Sequence, residues 1–143
     1  RYNTAVGATA LGSDVGTAGD GRNTAVGYAA MAYSTTGDHN TCIGYSAGGG
    51  YSGGITTGDY NICIGANVQP VSATSSNQLN IGDTIYGDLS GGGISIGVTS
   101  PNALAVLDLT STTKGFLLHN NCLKLFLLCF KIAFIHKKNF LFK

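Results

Sequence analysis

The sequence predicts an all-β chain: a parallel β-solenoid, or β-roll, of short stacked coils, followed by an irregular or helical C-terminal tail. Three observations predict it. A five-residue phrase returns as Asn3–Gly7 (NTAVG), Asn23–Gly27 (NTAVG), Asn40–Gly44 (NTCIG) and Asn61–Gly65 (NICIG). A Gly-Asp pair stands just before the returning asparagine at Gly19-Asp20, Gly37-Asp38 and Gly58-Asp59. No segment of residues 1–113 sustains a helical period.

Weaker echoes follow at Leu79–Gly82 (LNIG) and Ile94–Gly97 (ISIG), so the phrase glycines fall at 7, 27, 44, 65, 82 and 97, with steps of 20, 17, 21, 17 and 15 residues. Periods of this size mark solenoids, in which one repeat is one coil that buries its apolar side only against its neighbours. The phrase itself is short, β-branched and bounded by Asn and Gly, which describes a brief strand. The Gly-Asp pairs describe corners. There, glycine is expected to supply positive φ, and the side chains of Asp20, Asn23, Asp38, Asn40, Asp59 and Asn61 to bond backbone N–H groups two residues on.

Stacked at the strand spacing of about 4.8 Å, Val6, Val26, Ile43, Ile64, Ile81 and Ile96 line up as one structural ladder, expected to point inward. Alternation then places Ala5, Ala25, Cys42, Cys63, Asn80 and Ser95 on the opposite face, small enough for a neighbouring chain to approach closely. A coil rich in glycine loses much backbone entropy on ordering, and so thin a core returns less than that loss. Association between copies is therefore expected.

Composition narrows the function classes. There are 22 glycines, 10% charged residues and no Trp or Glu, a poor match to a compact enzyme with a charged surface. Residues 1–113 carry all seven aspartates against Arg1 and Arg22, a formal charge of −5, which argues against a nucleic-acid partner. Every lysine and phenylalanine comes later, from Lys114 and Phe116 onward. The chain thus divides into a repeat region (1–98), a connector (99–118) and an atypical apolar and basic tail (119–143). Within residues 121–143, 19 of 23 are Phe, Lys, Asn, Ile or Leu. Three readings of that tail stay open: the product of a frameshift, an amphipathic membrane-surface segment, or a short buried helix. No positively charged apolar leader precedes the repeats, so no targeting segment gives the compartment.

The NTAVG phrases resemble the head repeats of trimeric autotransporter adhesins of the YadA type, and still more the repeats of phage tail fibres. The likeness covers about residues 1–118. Its second part is NQLNIGDTIYGDLSGGGISIG (77–97), then Ser100-Pro101 and AVLDLTSTTKGFL (105–117), similar to the connector that precedes an intramolecular chaperone in such fibres. After Leu118 the chain departs from that pattern, with neither the Pro-Arg segment nor a chaperone region. The resemblance implies an extracellular homotrimer on a virion tail fibre, a non-catalytic structural and receptor-binding segment for host attachment. A bacterial cell-surface adhesin head is the alternative, and an ice-binding solenoid a remote one. A cell-surface glycan or protein is the receptor it implies.

No enzyme chemistry is expected. His39, His119 and His136 have no evident partners, neither a G-x-S-x-G elbow nor a Ser/His/Asp grouping is expected, and the runs Gly48–Gly50 and Gly91–Gly93 lack the lysine and helix of a phosphate loop. Neither cofactor nor metal is expected. Cys42 and Cys63 share a repeat position with Ala5 and Ala25, so small apolar filler is favoured over a disulfide or a metal pair. The Gly-Asp corners lack the G-G-x-G-x-D series of calcium repeats. Tyrosines on a polar fibre can stack on sugar rings or pack between coils. Tyr28, Tyr45 and Tyr51 are the candidate receptor contacts.

Overall fold

A computed structural model describes residues 2–12, 21–49 and 53–110. Asp20, Tyr51 and everything from residue 111 on, including the tail, lie outside the described residues. The described chain is all-β, a β-solenoid whose short strands form one eight-stranded sheet in sequence order. The strands are β1 (Thr4–Val6), β2 (Thr24–Val26), β3 (Thr41–Ile43), β4 (Ile62–Ile64), β5 (Gln78–Ile81), β6 (Ile85–Asp88), β7 (Ile94–Ile96) and β8 (Leu107–Leu109).

β1 to β5 pair in parallel, and the register sets each repeat phrase on the next: Val6 on Val26, Val26 on Ile43, Ile43 on Ile64 and Ile64 on Ile81. Each strand is three or four residues long because the chain must turn several times within one coil. After the strand a second side stacks as well. Ala29, Ser46 and Asn67 donate their N–H groups to Ala8, Tyr28 and Tyr45 of the preceding coil, at 2.7–2.9 Å. On a third side Thr35 and Thr56 donate to the carbonyls of Thr56 and Ala73, from both N–H and hydroxyl.

The corner carries the densest bonding. The Asn23 side-chain oxygen accepts the Asn40 N–H, that of Asn40 accepts the Asn61 N–H, and that of Asn61 accepts the Gln78 N–H, all at 2.8 Å. The same amides donate forward to the carbonyls of Gly37, Gly58 and Ser75. Asn23, Asn40 and Asn61 are buried and fully paired, as buried amides must be. The side chains expected to cap their own turn two residues on instead bond between coils. Asp38 and Asp59 do likewise, their carboxylates accepting the N–H groups of Gly21 and Asp38.

Corner glycine supplies positive φ as expected at Gly21 (79°), but Gly37 and Gly58 have a different task. In each corner positive φ also falls on the residue just before the corner amide, at Arg22, His39 and Tyr60 before the asparagines and at Asn77 before Gln78, with φ of 55–61°. Gly37 and Gly58 are needed for closeness: a Cβ would lie 2.5 Å from the Gly58 carbonyl oxygen and 2.2 Å from that of Ser75, respectively. The phrase glycines combine both demands. Gly44 has φ of 133°, and a Cβ there would meet the Gly65 carbonyl oxygen at 2.4 Å.

The inward assignment of the aliphatic ladder is corrected. Val6, Val26, Ile43, Ile64 and Ile81 stack in register, but on the outer face, with Val6 56% and Ile43 41% exposed. The interior takes the alternate positions: Ala25, Cys42 and Cys63 are fully buried. They pack with Ala30, Met31, Ala47, Ile55 and Val68 from the other sides of the coil. The reason is width. Three closely spaced sides leave room inside for Ala and Cys opposite a wall of Ala30, Ala47 and Val68, so branched chains on that strand face fit only outside.

The 15-residue step is also corrected, because it is no coil. β5, β6 and β7 form an antiparallel meander, so Ile96 stands two strands away from Ile81. Gly82 and Asp83, with φ of 60° and 50°, supply the left-handed turn that reverses the chain in three residues. β8, within the connector, resumes parallel pairing against β7.

Two outcomes follow for stability, measured as urea midpoints by far-UV circular dichroism. Asn40→Ala strands a buried N–H and a buried carbonyl, and is expected to cost about 2–5 kcal/mol. Gly44→Ala is expected to cost at least about 3 kcal/mol, whereas Gly82→Asn, at an open left-handed position, stays within about 1 kcal/mol of the parent.

Candidate functional site

The outer sheet face is built by strand alternation alone. Its first column runs Val6, Val26, Ile43, Ile64, Ile81, Ile85, Ile96 and Leu109, unbroken through the change from parallel to antiparallel pairing. A second column beside it runs Thr4, Thr24, Thr41, Ile62, Leu79, Gly87, Ile94 and Leu107. Eight strands at the usual spacing give a strip about 34 Å long. All of its first-column members are partly or largely open to solvent, Ile96 at 39% among them.

Two further columns border the strip. The residue before each corner amide gives Tyr2, Arg22, His39 and Tyr60, before the asparagines, and Asn77, before Gln78. Within it the Arg22 guanidinium lies 5.9 Å from the Tyr2 ring centroid, and His39 stacks on Tyr60 at 4.6 Å. The residue after each phrase glycine gives Tyr28 and Tyr45, whose rings stack at 5.5 Å and 11°. Both are exposed, as a receptor contact requires, but each gives one ring face to the other instead of to a ligand. The corner residues Asn23, Asn40 and Asn61 are buried and hold the coils together, and Asp38 and Asp59 are half-buried beside them.

A cleft of about 370 Å³ opens where the parallel ladder ends. It is lined by Asn67, Gln69, Pro70, Val71, Asn80, Asp83, Tyr86 and Thr99. Asn80 occupies the inner column directly above Cys63 and is the first long polar side chain in it. Its amide nitrogen donates to the Gln69 carbonyl at 2.6 Å and to the Asp83 carboxylate at 2.8 Å, while its oxygen accepts the Asp83 N–H. The loop from β4 is thereby tied to the β5–β6 turn. Tyr86, opposite Asn80 in register, is 8% exposed. Burial, and secondarily the Asp83 carboxylate, push its hydroxyl above the ordinary tyrosine range, so it remains a donor at neutral pH.

No protein-family model matches this chain, nor does any curated protein or solved structure at a significant level.

Two features escaped the reading of the sequence. Gly44-Tyr45-Ser46-Ala47-Gly48 spells G-x-S-x-G, the phrase of a nucleophile elbow, and Ser46 has φ of 52°. An elbow leads into a helix, whereas Ser46 is a buried member of a turn column with Thr9, Ala29 and Asn67, all at φ of 54–58°. The cleft was missed because its lining comes from three separated segments. The change of the inner position from Cys63 to Asn80 was the available signal.

Cys42 and Cys63 are directly paired in register, buried and free. The neighbouring Cys63 thiol, then burial, push the Cys42 thiol far above the ordinary range. The folded coil thus holds this proton while the unfolded chain releases it near pH 8.5, so stability present below about pH 8.5 falls as pH rises beyond it. Urea midpoints measured from pH 7.5 to 9.5 are expected to decline, and Cys42→Ala to remove most of that decline.

Proposed function

We propose that this chain is a non-catalytic, extracellular fibre segment of the phage tail fibre type, which associates as a homotrimer and presents its loops and edges to a cell-surface receptor. The observation that carries the reading is the aliphatic column on the solvent side of the sheet. A single chain leaves this strip open over eight strands, while its buried side-chain polar atoms are all paired among the described residues. Scattered surface leucines need no explanation, but a contiguous apolar strip marks an interaction site. An identical strip on a second and a third copy is its simplest complement, since neither column carries a charge. Burial of branched side chains between copies also supplies the hydrophobic stabilisation that the narrow coil interior lacks.

The rod-like repeat fits a mechanical part. Each coil bonds to its neighbours over three sides and a corner, so stiffness follows from stacking without a large core. Ice binding draws no support from the same face, since its threonine column stops after Thr4, Thr24 and Thr41 and continues as Ile62 and Leu79. An ordered array of hydroxyls does not extend along the sheet.

Light scattering of the full 143-residue chain is expected to return the mass of three copies. Ile43→Asp, placed in the middle of the strip on an exposed side chain, is expected to raise the dissociation constant at least about a hundredfold while leaving the circular dichroism spectrum of the coil unchanged. A native chain that is folded and strictly monomeric would overturn the reading.

A further inference from the structure

We infer that the cleft between the loop 67–71 and the β5–β6 turn is a binding site for a neutral sugar ring, a hexose or an N-acetylhexosamine. The inference deepens the receptor-contacting reading by naming a subsite and a ligand class, and rests on that reading only for its biological role.

Size and chemistry both point there. The cleft holds about 370 Å³, within the range of small-molecule sites. Its walls mix polar groups of both kinds. The Asn67 side chain offers a donor and an acceptor, the Thr99 and Tyr86 hydroxyls can do either, and the Asp83 carboxylate accepts. Val71, 59% exposed with Pro70 buried beside it, adds an apolar patch on which the C–H face of a pyranose can rest. Vicinal hydroxyls, each a donor and an acceptor, are the ligand groups that such a lining satisfies.

Tyr86 is the most telling member. It is only 8% exposed as a residue, its hydroxyl is open to solvent, and no protein group hydrogen-bonds that hydroxyl among the described residues. Asn80, by contrast, is saturated: both amide hydrogens and its oxygen are used within the protein. It sets the floor, and Asp83 keeps a second carboxylate oxygen for an incoming hydroxyl. The lining holds one carboxylate and no Lys, Arg or His. A phosphate, a sulfated sugar or a sialic acid would therefore meet a like charge without a cation to offset it.

The test is saturation-transfer difference NMR on the full chain, with free D-glucose, D-galactose, N-acetyl-D-glucosamine and N-acetylneuraminic acid as probes. At least one neutral sugar is expected to bind saturably, with a dissociation constant on the order of 1 mM, and N-acetylneuraminic acid to give no saturable signal. Tyr86→Phe keeps the ring and removes only the hydroxyl, and is expected to weaken the neutral sugar about three- to tenfold. Asp83→Asn should weaken it by a similar factor, while Tyr60→Phe, outside the cleft, leaves it unchanged. Absence of saturable binding by every neutral sugar, tighter binding of N-acetylneuraminic acid, or equal affinity in Tyr86→Phe and the parent would each overturn the inference. A trimer whose cleft is inert to sugars sinks this inference and spares the fibre reading; a monomer that binds sugar does the reverse.

Discussion

A buried side-chain amide that can be satisfied only by the next turn of the chain is the constraint on which this structure depends. Each corner asparagine has an oxygen facing a neighbouring N–H and a nitrogen facing a neighbouring carbonyl, within a site closed to water. A rung displaced by one residue would leave those groups unpaired in a medium where that is costly. Rise, register and strand phase are thereby set together. Which side chains face outward is then already decided, since a one-residue slip would turn the sheet face inside out.

That dependence explains how much was legible in the sequence. The phrase built on Asn23, Asn40 and Asn61 revealed the coils and their equivalences, because the same polar solution recurs wherever the coil repeats. Inside and outside were assigned the wrong way round, because size and hydrophobicity were taken as the guide to burial. In a coil this narrow the guide is smallness: Ala25, Cys42 and Cys63 fit where Val26, Ile43 and Ile64 do not. The asparagines themselves carried the contrary signal. A residue two positions before Ala25 lies on the same strand face, and Asn23 is buried with it.

Turn chemistry misled for a related reason. Local rules give the left-handed conformation to glycine, and here Arg22, His39 and Tyr60 adopt it, as do Ala29 and Met31. Each such residue is strained by itself. Hydrogen bonds from the coils above and below hold it there, and no single-coil window of sequence contains them. The glycines are freed for a different task, the approach of backbone to backbone, as at Gly37 and Gly58. The candidate cleft was illegible on the same grounds, since its walls meet only after the chain has closed a coil and reversed.

The reversal at β6 leaves the outer column intact, because side-chain alternation follows register and is indifferent to strand direction. β7 and β8 regain the original polarity after the meander. A chain built this way can change its number of turns, or interpose a hairpin beside a recess, while the apolar column on its outer face continues without a break.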